Sequence, residues 1–78
     1  MAAADALKAL RDGLWIIDAT RRSGFITTSM VATAPGWDRV RAWRYIQALV
    51  EIGWLERGER RRYYLGPVVR QFAIDWNP

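Results

Sequence analysis

Cysteine and histidine are both absent from this chain of 78 residues. Without cysteine there is neither a disulfide nor a thiolate site. Without histidine the commonest metal ligand and the commonest general base are missing. The acidic residues are scattered and do not form the spaced pairs that a hydrolase or a metal site built on carboxylates would need. No enzyme activity, metal site or cofactor is therefore expected. Gly24, Gly36, Gly53, Gly58 and Gly66 stand singly at the ends of expected elements, which makes them turn devices and not a phosphate loop. No apolar run approaches the ~18 residues of a membrane span. The opening M-A-A-A-D-A-L-K lacks a basic segment followed by an apolar stretch, so no signal peptide is expected and the cytoplasm is the default compartment.

Lysine is almost absent as well: Lys8 stands against eleven arginines, with a net charge of +4. Arginine makes planar, bidentate contacts to phosphate and to guanine edges, although a GC-rich genome also favours it. The charge is uneven. Residues 39 to 62 hold seven arginines against Glu51, Glu56 and Glu59, whereas residues 1 to 20 hold Asp5, Asp12 and Asp18 against Lys8 and Arg11. A basic half on a neutral scaffold points to a polyanion. Five tryptophans and an apolar share of 51% suit a folded domain and argue against disorder. The length suits one domain over 1–78, with a core worth roughly a few kcal/mol net.

The stretch from Asp38 to Trp54 organises the rest. Ala42, Ile46, Leu49, Val50 and Gly53 recur at three and four, so they share the core side of a helix over about 38–53. Arg39, Val40, Trp43 and Gln47 fall on the other side, with Arg41 and Arg44 near its edges. Asp38 is a good cap for this helix. Before it, residues 3 to 22 read as a first helix with a stripe of Leu7, Leu10, Leu14 and Ile17. Trp15 and Ile16 lie off that stripe. Arg21 and Arg22 suit its last turn, and Gly24 ends it. Phe25-Ile26 reads as β-like. Thr27 or Thr28 caps a short helix over about 28–34, in which Met30 or Val31 faces the core, and Pro35-Gly36 marks a turn. A short helix, a turn and a longer helix make the helix-turn-helix order.

After Gly53 the period changes to two. Residues 54–57 and 62–65 read as strands joined by 58–61, with Leu55, Tyr63 and Leu65 on one face. Arg57, Arg60, Arg61 and Arg62 are expected to gather at the tip. Gly66-Pro67 breaks the strand, and Val68, Val69, Phe72 and Ala73 suggest a final helical turn or two. The expected fold is thus mainly α with a small β-hairpin: a winged helix-turn-helix, in which a three-helix bundle carries a wing over about 54–65.

Arg44-Tyr45-Ile46, Leu49-Val50-Glu51-Ile52-Gly53-Trp54 and Tyr63-Tyr64-Leu65-Gly66-Pro67 also resemble the N-terminal DNA-binding domain of IclR-type bacterial regulators, and more loosely MarR-type ones. The likeness runs from about Leu7 to Phe72. It implies that the helix from Asp38 enters the DNA major groove and that the hairpin touches phosphate or the minor groove. By position, Arg39, Arg41, Trp43, Arg44 and Gln47 would face DNA, and the hairpin arginines Arg57, Arg60, Arg61 and Arg62 would join them. The family commonly has small hydroxyl residues where Val40 and Arg41 stand. Without the family's effector domain after Pro78, the chain reads as an excised domain or a small stand-alone protein.

The expected function is therefore sequence-specific binding of double-stranded DNA, as a cytoplasmic, nucleoid-associated transcription regulator. The alternative is a winged helix that binds a protein partner, for example in a phage or mobile-element factor. On that reading Trp43 belongs to a protein interface, and the hairpin arginines serve solubility or protect an edge strand. Arg44 and Arg57 are also candidates to pair with Glu51 or Glu56. A homodimer is expected, because one helix reads too few base pairs to single out a site. Trp15 and Ile16, or Phe72 and Trp76, are the candidate contacts. Trp15, Trp37 and Trp54 are otherwise read as core.

Overall fold

The computed structural model describes residues 3–75. Among these the chain forms α1 (Ala3–Ser23), α2 (Thr28–Ala32), α3 (Arg39–Glu51), β1 (Leu55–Arg57), β2 (Tyr63–Leu65) and α4 (Pro67–Asp75). The fold is mainly helical with one small antiparallel hairpin, an order compatible with the expected winged helix. No helix among the described residues is long and apolar enough to cross a membrane.

Local chemistry sets the element ends. Thr27 caps α2 by accepting from Met30 N–H at 3.1 Å, and Asp38 caps α3 by accepting from Arg41 N–H at 2.8 Å. Gly24 closes α1, its N–H donating to Thr20 C=O at 2.8 Å from a left-handed φ of 85°. Leu55 pairs with Leu65 and Arg57 with Tyr63 across the hairpin. Ile26 forms a single bridge to β2 from outside the hairpin: its N–H donates to Tyr63 C=O and its C=O accepts from Tyr63 N–H, both at 2.8 Å. The β-like reading of Phe25-Ile26 is thereby explained. The final helical turns form a full nine-residue helix, opened by Pro67, whose missing N–H costs nothing at that position. Gly66 sits where β2 passes the end of α3: a Cβ there would overlap the Gly53 carbonyl.

The core is Ile16 of α1, Ile26, Val31 of α2, Ala42, Ile46 and Leu49 of α3, Leu55 and Tyr63. The α3 stripe is the one its spacing predicts, and Val31 is the α2 residue that turns inward. On α1 the expectation is overturned. Leu7, Leu10 and Leu14 are 66%, 59% and 48% exposed, while Ile16 is fully buried. The helix has two apolar sides, and the side with smaller residues packs inward. Ile17 and Ala19 pack against the core beside Ile16, and a Cβ built at Gly13 would be in ordinary contact with Leu49 at 3.9 Å. Thr20, also fully buried, is satisfied by donating from its hydroxyl to Ile16 C=O at 2.7 Å. Trp15, Trp37 and Trp54 are not deep core: Trp15 is exposed, and Trp37 and Trp54 pack against the core from its rim.

Candidate nucleic-acid interface

The N-terminal end of α3, the hairpin and α2 line an open groove of about 670 Å³. Its walls include Thr28 and Ser29 of α2, Arg39, Val40 and Trp43 of α3, and Arg61 of the hairpin. Sequence reasoning placed the arginines and Trp43 here. Val40 was placed on the same outward side but given no part in binding, and the α2 hydroxyls were missed, although the run Thr27-Thr28-Ser29 beside an N-cap was a usable sign. Arg39 donates to Ser29 Oγ at 3.2 Å, so α2 and α3 share this wall.

The other arginines divide into held and free. Arg41, expected on the outward face, is turned the other way. Its guanidinium pairs with Asp12 of α1 at 2.6 Å and donates to Gly36 C=O at 3.2 Å. It also lies 4.3 Å from the Trp37 ring centroid and 5.5 Å from that of Tyr45. Trp37 in turn stacks on Trp15 and meets Tyr45 edge-on. Arg41 thus ties α1, the α2–α3 turn and α3 together, and it has no reach into the groove. The reason is electrostatic: Asp12 is almost covered by this contact, and a carboxylate taken from water needs a hydrogen-bonding cation.

Gln47 and Arg57 are held to each other. Gln47 donates to the Tyr63 hydroxyl at 3.0 Å and accepts from Arg57 at 2.8 Å. Arg57 lies 6.0 Å from the Tyr63 ring. This chain braces the hairpin against α3, which fixes the width of the groove. Arg62 does not join the tip either: it is half-buried, with its guanidinium 4.3 Å from the Phe25 ring centroid. The ion pairs considered for Arg44 and Arg57 do not form. Glu56 instead takes Arg70 of α4 at 2.9 Å.

Arg44, Arg60 and Arg61 are exposed, and their side chains have no hydrogen-bond, ion-pair or ring partner among the described residues. Arg60 and Arg61 both have left-handed backbones, φ 58° and 60°, at the centre of a turn closed by Arg62 N–H to Glu59 C=O at 3.1 Å. Hairpins favour this mirror-image turn, but Asn-Gly is the pair that adopts it without strain. An arginine there costs roughly 1–2 kcal/mol per residue. Two such residues at one exposed tip do nothing for the core.

At the end of α1 two arginines share one carboxylate. Asp18 accepts from Arg21 at 2.9 Å and pairs with Arg22 at 3.1 Å. The Arg21 hydrogen bond, with both guanidinium charges, holds its carboxyl below the ordinary carboxylate range. The unpaired cations of the basic half therefore lie on α3 and the hairpin tip.

No protein-family model, no curated protein and no solved structure matches this chain.

Proposed function

We propose that this chain is a non-enzymatic winged helix that binds double-stranded DNA as a cytoplasmic, nucleoid-associated transcription regulator. In this reading α3 enters the major groove, and the hairpin is the wing that lies on the backbone or in the minor groove. The likeness of its residue pattern to IclR-type DNA-binding domains supports the reading. The observation that carries it is the convergence of Arg39, Arg61 and the hydroxyls of Thr28 and Ser29 on one groove, with Arg44 on α3 and Arg60 at the hairpin tip exposed and without a partner among the described residues. Guanidinium and hydroxyl groups are the usual phosphate contacts. Strain held at the hairpin tip fits a task there other than stability.

Duplex binding over a salt series tests it. The log–log slope should be near −0.9 per phosphate neutralised. The double variant Arg60→Asn/Arg61→Gly should separate the tip's two roles. It relieves the turn strain, so thermal stability should rise by ~1–2 kcal/mol. It removes two cations, so the slope should become shallower by ~2 and all sequences should weaken alike. A stabilised variant with unchanged DNA affinity would leave the tip arginines a surface role only. The rival reading, a protein-interaction module, draws on Val40 and Trp43, which are 61% and 54% exposed. Absence of duplex binding at ~50 mM salt would favour it, because arginine–phosphate contacts are strongest there.

DNA binding is proposed to be as a homodimer. Ile16 is not available for that contact, because it is the centre of the core. Trp76 lies outside the described residues. The exposed apolar surface is instead Leu7, Leu10 and Leu14, spaced three and four along α1 like a coiled-coil seam, while Ile17 at its end packs against the core. The seam is self-complementary in an antiparallel two-fold pair. Leu7 then meets Leu14 of the partner subunit, with Leu10 close to the two-fold axis. These leucines lie on the side of α1 opposite Ile16, so pairing leaves the α3 groove uncovered. Sedimentation equilibrium at tens of micromolar should show a dimer, and Leu10→Asp should shift it to monomer with the fold retained by circular dichroism. A wild-type chain that stays monomeric would remove the pairing and leave DNA binding standing.

A further inference from the structure

The groove has an uncommon division of chemistry. Val40, Trp43 and Gln47, spaced three and four, form one stripe of α3 that faces the hairpin. A helix that reads bases by hydrogen bonds needs free amide or guanidinium groups on this stripe. Here they are committed elsewhere. Both ends of the Gln47 amide are bonded, to Tyr63 and to Arg57. Arg41 is turned away to Asp12. What the stripe offers at the groove is an isopropyl group and an indole, 61% and 54% exposed, with the cations of Arg39 and Arg61 lining the same groove. Apolar groups at the reading position, flanked by phosphate-seeking charges, match an apolar feature on a base edge. The major groove has one such feature in unmodified DNA, the C5 methyl of thymine, and 5-methylcytosine presents the same group.

We propose that α3 selects its site by the C5 methyl of a pyrimidine, held between Val40 and Trp43. The inference rests on the reading that α3 enters the major groove. Arg39, Arg44 and the hairpin tip supply attraction and orientation, while the Val40–Trp43 pair supplies the sequence discrimination. Burying one methyl group in such a slot is worth about a fourfold change in affinity, and contact with both side chains raises this toward tenfold.

A duplex recovered from a random pool by the full chain provides the probe. Each thymine in it is replaced in turn by deoxyuridine, which keeps every Watson–Crick edge and removes only the methyl. One or two positions should weaken binding by about four- to tenfold. At those positions Trp43→Ala and Val40→Ala should each shrink the preference for thymine over deoxyuridine and the double variant should abolish it, with their salt slopes unchanged. A merely structural role for either residue would lower both affinities and keep their ratio. A third duplex carries 5-methylcytosine·guanine at the sensitive position, against cytosine·guanine. Recovery there would assign the methyl itself as the feature read, whereas sensitivity confined to thymine·adenine would assign thymine. Equal binding of thymine and deoxyuridine duplexes at every position would overturn the inference while leaving DNA binding intact. A chain that recovers no duplex at all would remove the DNA reading beneath it.

Discussion

Ile16→Ala should cost ~2–4 kcal/mol of folding stability, a drop in melting temperature on the order of 10–20 °C for a domain of this size. Leu10→Ala should stay within about 0.5 kcal/mol at the same protein concentration. The contrast follows from burial. Ile16 is fully enclosed by the core, so truncation leaves a cavity that surrounding side chains fill only in part. Leu10 is 59% exposed, so truncation removes area that mostly still faces water. Its role in the proposed pairing would add a term that grows with protein concentration, which separates it from a core effect. Urea titrations of both variants at low micromolar concentration make the measurement. A large loss at Leu10, independent of concentration, together with a small one at Ile16, would mean that α1 packs with its other side inward.

Arg41→Ala should lower stability by ~1–3 kcal/mol and leave the preferred DNA site and the salt slope as they are. The Asp12 side chain is only 14% exposed and that of Arg41 31%. Removing the guanidinium leaves a largely covered carboxylate without its charge-assisted bond, and also frees the Trp37 and Tyr45 ring faces. Partial exposure keeps the loss below the 3–5 kcal/mol of a fully buried pair. Asp12→Ala should cost a similar amount, and the double variant should cost less than the sum, with a coupling of ~1–2 kcal/mol. If Arg41→Ala instead relaxed base preference at one position while melting like the parent, the guanidinium would be reading DNA in solution and not holding α1.

These two predictions lie where periodicity and tertiary structure part. The approximate helix positions, the Asp38 cap, a cap at Thr27 or Thr28 and the α1 stop at Gly24 were legible from the chain, because each depends on groups within four residues, and the strands, paired from Leu55 to Leu65, were legible to within a residue at their outer and inner ends. The core side of α3 was legible too, since Ala42, Ile46 and Leu49 form its one continuous apolar stripe. The candidate interface was legible as a charge, not as a geometry. Arg39, Trp43, Arg44, Arg60 and Arg61 stand on the exposed α3–hairpin face. Arg41, Gln47, Arg57 and Arg62 do not present their polar ends freely there.

The sequence by itself determined the order of elements, the two helix caps and the basic half, because caps act over three residues and charge is a sum over composition. Tertiary structure alone decided which side of α1 is core and which arginines are spent. A helix with two apolar sides does not show by its own spacing which one meets the core; on α1 it is the side of Ile16, which packs with residues of α2, α3 and the hairpin. A long guanidinium goes to the most desolvated carboxylate or ring within reach. For Arg41 that is Asp12, 29 residues earlier in the chain, and for Arg62 it is Phe25. Neither partner is adjacent until α1, α3 and the hairpin have packed, so their choice depends on contacts that spacing along the chain does not contain.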